Sequence, residues 1–440
     1  MSRRDDVMLS FEREKDKTEQ RIKDGVEKYR KGLLSVRFTD KSGKPIANAE
    51  IRARLTDHEF LHGANLFMLG QFDSEEYNEK YEKAFVNCFN EATLPIYWKD
   101  LEPRDGELRF SKDSMDIYRR PPLEPCVEFC EKNGILPKAH CLTYFNFDPE
   151  WIDEYDIPKL KARIERRYKE LAEAYGDRIP QWEVINELLC VTDMDRSKTP
   201  YYFDDRVMEN CFDTAEKYFK NCKLIINEAV HLWDKFNFAH NRSAYYQMVE
   251  RALKGGTKID SVGLQFHVFK RAEDEKSCVE TLYKPSHIYS VLDRYALLGK
   301  PLQITEITVP AYTDSKEDYA LQAEILSKLY HIWFSHPAVE AAIYWNLPDG
   351  YAAFAPKGDM NAGENYYRGG LMDFALDKKP AYDALYDMFH SEYTTDVKVV
   401  TDENGVAKFN GFFGKYSLTA DGKEYSVKLY NGKENADVQA

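Results

Sequence analysis

Residues 181–190, QWEVINELLC, decide how this chain is read. Trp182, Val184 and Ile185 make a short buried-strand pattern that runs straight into an amide and a carboxylate, Asn186 and Glu187, before apolar residues resume. A charge at the end of an apolar strand is costly unless the strand opens there onto a polar site. The same texture recurs on both sides. Short apolar runs alternate with longer helical patterns from about 60 to 390: HGANLFML, NEATLPIYW, LPKAHCLTY, PQWEVINE, KLIINEAV, DSVGLQFHV, PLQITEITV and AAIYWNL. Repeated βα units build a parallel sheet, and eight of them close a TIM barrel. The fold class is therefore α/β, with a (β/α)8 barrel over residues 61–391. Segment 122–133, with Pro122 at its start and Gly134 at its exit, reads as one of the connecting helices.

The flanks read differently. Residues 1–32 are expected to hold one charged, solvated helix packed by a thin apolar stripe, its charges forming a wet face. From Leu34 the pattern alternates: LLSVRFTD, a turn at KSGKP, then AEIRARLTD, which reads as a hairpin. The C-terminal stretch VKVVTDENGVAKFNGFFGKYSLTADGKEYSVKLYNG has the same texture. Residues 33–60 and 392–434 are thus expected to meet in a small appended β-sandwich, a prop rather than a site.

Composition narrows the partners. A net charge of −14 argues against nucleic acid or an anionic membrane surface, both of which need a basic footprint, and leaves a neutral substrate unaffected. Thirty Tyr and 25 Phe supply flat apolar faces on which sugar rings can lie, although most such rings go to the core. The eight cysteines form no CxxC pair and no Cys/His metal spacing, and Cys126 and Cys130 share a helix face without a His, so neither a metal nor a cofactor is expected. The N-terminus lacks an apolar run of signal-peptide length and no stretch is long enough to span a membrane, which makes the cytoplasm the expected location. On that expectation the Asn241-Arg242-Ser243 sequon has no role.

Polar residues gather where the strand patterns end: His140, Asn186 and Glu187, Asn227 and Glu228, Gln265 and His267, Glu306, Trp345 and Asn346. In a closed barrel those ends converge on the face that carries active sites. Two carboxylates across a barrel mouth, without metal-ligand spacing or a phosphate-binding glycine loop, suit glycoside hydrolysis. At a separation of about 5 to 5.5 Å, one attacks the anomeric carbon while the other protonates the leaving oxygen, with retention of configuration. The ionised nucleophile is expected to raise its partner's pKa. Position alone does not assign the two roles. Glu228 reads as one arm of a structural ion pair and Trp182 as core.

These segments, taken in order, resemble glycoside hydrolase family 10, the endo-β-1,4-xylanase family. YGDRIPQWEVINE resembles the family's acid/base strand, SVGLQFHV its Gly-x-Gln-x-His strand and PLQITEITV its nucleophile strand. YWKDLEPRDGELRF, KAHCLTYFNFDPEW and RGGLMDFALDKKPAYDAL also align, so the likeness covers roughly 60–390. The resemblance implies Glu187 as general acid/base and Glu306 as nucleophile. It implies that Asn186 bonds the 2-hydroxyl of the reacting sugar, that His267 beside Gln265 orients Glu306 or meets that hydroxyl, that His140 bonds the same sugar and that Trp345 is its apolar platform. Trp98 and Tyr144 fall in matching stretches and are read as substrate contacts.

Departures fall on the substrate side. Where the family carries a Glu-Asn pair and a Lys that grip the glycone sugar, this chain has Leu94, Pro95 and Tyr97. The family's Trp-His-Ser-Gln run becomes Tyr144-Phe145-Asn146-Phe147, and a second tryptophan beyond Trp345 gives way to Ala353 and Phe354. A sugar hydroxyl buried without a partner costs about 1 to 3 kcal/mol, so two such losses would cripple xylan binding. The expectation is a retaining β-glycosidase of xylanase type with carbohydrate as its partner, acting on short, unusual or partly apolar substrates. A non-catalytic sugar-binding barrel, an exo-acting β-glycosidase and a transglycosidase are the alternatives.

Overall fold

The computed structural model describes residues 2–153, 155–191, 200–229, 232–234 and 243–440; Asn241 and Arg242 of the sequon lie outside them. Eight parallel strands close a barrel: Leu61–Asn65, Glu91–Pro95, Leu136–His140, Gln181–Asn186, Lys223–Glu228, Ser261–Leu264 with its continuation Phe266–His267, Leu302–Thr308 and Val339–Tyr344. Closure is made by the last strand, which pairs with the first at Ala341↔Leu61 and with the seventh at Leu302↔Val339. All eight sequence runs supply one stave each. Helix Leu123–Asn133 has Pro122 before it and ends at Gly134, whose φ of 68° is the left-handed turn that glycine adopts without strain. No helix among the described residues is long and apolar enough to cross a membrane.

The terminal strands form two further sheets. One holds Lys31–Thr39 between Val406–Phe412 and Asn435–Gln439; the other holds Asp396–Val400, Glu50–His58, Gly414–Ala420 and Lys423–Leu429 in that order. The hairpin expected at KSGKP is corrected here. Only Thr39 and Pro45 bridge across the turn; the chain then crosses over, so that Lys31–Thr39 and Glu50–His58 lie in opposite sheets. Alternation reports a strand with one buried face, and it is blind to which strand pairs with it. Glu50–His58 leads directly into the first barrel strand, which seats the sandwich at the N-terminal end of the staves, away from their mouth.

The single N-terminal helix is also corrected. It breaks into Arg3–Val7, Leu9–Arg13 and Lys15–Tyr29. Its charges are not all a wet face: Arg3 is bidentate on Glu275 at 2.7 and 2.9 Å and reaches Asp318 at 2.7 Å. Arg30 donates to the carbonyls of Phe334, His336 and Val339. Both arginines tie the N-terminal segment to the barrel.

Candidate active site

The strand ends enclose a cavity of about 430 Å³ whose lining includes His140, Tyr144, Asn186, Glu187, Gln265, His267, Glu306 and Trp345. Eight of the nine sequence candidates therefore meet. Trp98 does not: it is buried, donates from its indole to Glu102 at 2.9 Å and packs edge-on against Trp151. Its assignment as a substrate contact is corrected, because a short helix at Trp98–Leu101 turns the ring away from the mouth and into the core. Trp182 is core as expected, fully buried against Phe219.

Glu187 follows the fourth strand in the left-handed region, φ 53°, which breaks the strand and presents the carboxyl at the rim. Such a conformation costs a β-carbon residue on the order of 1–2 kcal/mol and is tolerated where surroundings enforce it. Enforcement comes from below. Glu228, buried at the end of the fifth strand, accepts the backbone N–H groups of Leu189 and Ala229, both at 2.8 Å. It thereby anchors the turn that follows Glu187. The Glu187 carboxyl accepts from the Tyr144 hydroxyl at 2.5 Å and from the Gln265 amide at 2.9 Å. Gln265 sits where the sixth stave is interrupted, between Ser261–Leu264 and Phe266–His267.

Glu306 stands on the seventh strand, buried, and accepts from the Asn227 amide at 2.8 Å and from His267 Nε2 at 3.1 Å. Asn227 is held by four oxygens, since its amide also reaches Asn186 at 2.9 Å and Glu183 at 3.5 Å while its own carbonyl accepts from Thr305. Space for this amide depends on Gly263: a β-carbon there would lie 2.7 Å from Asn227 Oδ1 and 2.8 Å from the Thr305 methyl. Asn186 uses its carbonyl oxygen on Asn227 and Gln265, which turns its N–H2 group away from them. Polar side chains thus link the two glutamates continuously: Glu187, Gln265, Asn186, Asn227, Glu306.

Charge is graded through this network. Burial pushes Glu306 up to about 8, with Glu187 and Glu183 adding to the rise and His140 opposing it. Its two hydrogen-bond donors among the described residues, the Asn227 amide and the His267 ring, are neutral and leave the desolvation of Glu306 standing. Burial holds His267 down at about 4, so the ring is neutral near pH 7, and with Thr308 at Nδ1 it donates to Glu306 from Nε2. One layer deeper, Glu183 is equally buried, yet Lys138 at 2.8 Å and His140 outweigh the burial and hold it at about 2. His140 has its Nδ1 on Glu183 and its Nε2 2.9 Å from the Tyr97 hydroxyl. Its expected bond to a sugar therefore competes with two partners already in place.

Donor atoms of His140, Glu183 and Glu306 lie within 4.8 Å of one another, the spacing of a possible metal cluster. The Lys138 ammonium already neutralises Glu183, which makes this donor set a poor cage for a cation.

Aromatic groups surround the acids. Trp345 packs edge-on to Phe67, His140 and His267, with centroids 5.4, 5.5 and 5.9 Å away. Tyr97 stacks on Phe147 at 4.1 Å, and Phe354, 85% exposed, stands at the rim. The cleft is less apolar than the sequence departures implied, because Arg119, Arg120 and Glu364 also line it. Sequence reasoning passed over these three: Arg119 and Arg120 lie in a loop and Glu364 in the short 3-10 helix Gly363–Tyr367, where no strand-end signal marks them. Lys138 and Glu183 were passed over because a charge inside a strand pattern gives no sign of which residue it faces.

The model of glycosyl hydrolase family 10 matches residues 67–388. Anti-sigma-I factor RsgI6 of Acetivibrio thermocellus is 25% identical over 423 residues, 92% of this chain and 48% of that protein, so the chain spans about half of its length. Endo-1,4-beta-xylanase B of Thermotoga neapolitana is 24% identical over 340 residues, covering 76% of this chain and 88% of the xylanase. Among solved structures, xylanase 10B from Thermotoga petrophila RKU-1 in complex with xylobiose shares the fold with a TM-score of 0.57 at 23% identity, covering 76% of this chain and 95% of that one. With a family match over most of the barrel, its eight closed staves and both glutamates at the mouth, the chain belongs to glycosyl hydrolase family 10.

Proposed function

We propose that this protein hydrolyses β-glycosidic bonds of short or atypical xylo-oligosaccharides or related β-glycosides, with retention of configuration. The observation that carries this reading is the opening of Glu187 and Glu306 into one cleft, joined by amides that can hold both. Glu306 attacks the anomeric carbon as a carboxylate. The bond to the leaving oxygen breaks as Glu187 delivers its proton, and a covalent glycosyl-enzyme forms. Glu187 then takes a proton from water, whose oxygen displaces Glu306 and restores the original configuration. Asn227 and His267 stabilise the charge on Glu306 as it is released, and Tyr144 steadies Glu187 through both proton transfers. The Asn186 amide is the donor for the 2-hydroxyl. A cleft of about 430 Å³ walled by aromatic side chains suits one or two sugar rings better than a long chain.

Aryl β-xylosides, xylo-oligosaccharides and xylan, with products followed by proton NMR, test the reading. A first-formed β-anomer from oligosaccharides and little release from xylan are expected; rapid internal cleavage of the polymer overturns the short-substrate assignment. Replacing Glu306 by Ala should lower kcat on the order of 10⁴-fold or more, and azide should restore part of it with an activated aryl glycoside, giving the α-glycosyl azide. An active Glu306→Ala variant without azide removes Glu306 as nucleophile.

A further inference from the structure

Arg119 and Arg120 enter the same cavity as the two glutamates. They are carried by the loop that joins Arg109 to helix Leu123–Asn133, and Arg109 pins that loop by donating to the carbonyls of Met115, Asp100 and Arg120 at 2.7, 2.8 and 2.8 Å. Arg119 is held in the left-handed region, φ 62°, with only 3% of its surface exposed. A non-glycine residue kept in that conformation and buried while charged is expensive twice over.

The charge on Arg119 has no contacting anion among the described residues. Its guanidinium donates to the Tyr351 carbonyl and to Asn346 Oδ1 at 3.0 Å, both neutral. Arg120 is different: it donates to Asp100 at 2.7 Å and lies over the Tyr97 ring at 4.3 Å. Glu364 reaches the cavity as well, yet its carboxylate accepts from Asn346 at 3.1 Å, so that amide stands between it and Arg119. Burial and the neighbouring Arg120 pull the Arg119 pKa below its ordinary value, and the more distant Glu364 opposes them only in part. A buried cation left uncompensated is strongly destabilising, and an arginine fork matches a carboxylate in shape as well as charge.

We propose that Arg119, with Arg120 beside it, receives a carboxylate carried by the sugar bound in this cavity, so that the substrate class is a β-uronoside. This rests on the glycosidase reading above and deepens it. The two arginines line the same cleft as Glu306, so a sugar bound there can meet the arginines and the carboxyl together.

The test compares 4-nitrophenyl β-D-glucuronide with 4-nitrophenyl β-D-glucoside, which share a leaving group and differ only at C6. A charge-assisted hydrogen bond contributes enough to favour the uronide by about 10-fold or more in kcat/KM for wild type. In Arg119→Gln that ratio should fall about 10- to 100-fold, and in Arg120→Gln by less. Both substrates are measured on each variant, so a general loss of folded protein cancels in the ratio. Turnover of the glucoside with no preference for the uronide, or a ratio indifferent to Arg119→Gln, overturns the proposal while leaving the glycosidase reading intact. Calorimetric titration of wild type with D-glucuronate and D-glucose reads the same preference without turnover. Equal affinity there overturns the uronoside assignment even if no glycoside is hydrolysed, an outcome that would separately remove the glycosidase reading.

Discussion

Glu183 and Glu306 are both buried inside one barrel, on its fourth and seventh strands, yet one carboxyl is held at about 2 and the other is pushed to about 8. Burial acts on both in the same direction. What separates them is the charge of the partner in contact: Glu183 touches an ammonium, Lys138, at 2.8 Å, whereas the hydrogen-bond donors to Glu306 among the described residues are a neutral amide and a neutral imidazole. The deeper layer is a paired charge that supports structure, and the mouth is an unpaired one available for chemistry.

The comparison breaks most severely if Lys138 is replaced by Met. Glu183 would then be a buried carboxylate without its main counter-charge, and a loss of about 3–5 kcal/mol in chemical denaturation is expected. A loss below about 1 kcal/mol would show that His140 alone sustains Glu183. Next comes the response of stability to pH. A carboxyl whose pKa is raised by folding binds its proton more tightly in the native state, so it subtracts stability as pH rises from the ordinary carboxyl range through about 8. Glu306→Gln should therefore stabilise the protein by roughly 1–3 kcal/mol at pH 9, with the gain fading toward pH 4. Glu183 has the opposite sign: its contribution is present above the ordinary carboxyl range and lost only as pH falls through about 2. A pH-independent effect of Glu306→Gln would equalise the two carboxyls and remove the contrast. The smallest change sharpens it. Tyr144→Phe deletes the 2.5 Å hydrogen bond to Glu187, which should lower kcat about 5- to 20-fold and shift the pH–rate profile, with thermal stability nearly unchanged.

Much of this could be read from the chain alone. Short apolar runs separated by helical stretches specified eight staves, because a strand buried on both faces by flanking helices must be apolar along its length. The polar residue that ends each run marked the mouth, since only there can a charge leave the apolar interior. Asn186, Glu187, Gln265, His267 and Glu306 were legible for that reason, and the structure brings them together. Trp98 was misplaced because an aromatic beside a strand end gives no direction for its ring. The terminal strands were legible as strands, but their pairing partners were not, since Lys31–Thr39 and Glu50–His58 belong to different sheets.

Residue type and spacing, then, settled the barrel and its open end, and put Glu187 and Glu306 at that end, all of which follow from local burial patterns. Only the tertiary structure decided their environment: that Lys138 meets Glu183, that Asn227 fits beside Gly263 to reach Glu306, and that Arg119 and Arg120 arrive from a remote loop. The physical reason is that charge and hydrogen-bond energies depend on distances of a few ångströms between residues far apart in sequence. Hydrophobic periodicity carries no information about those distances.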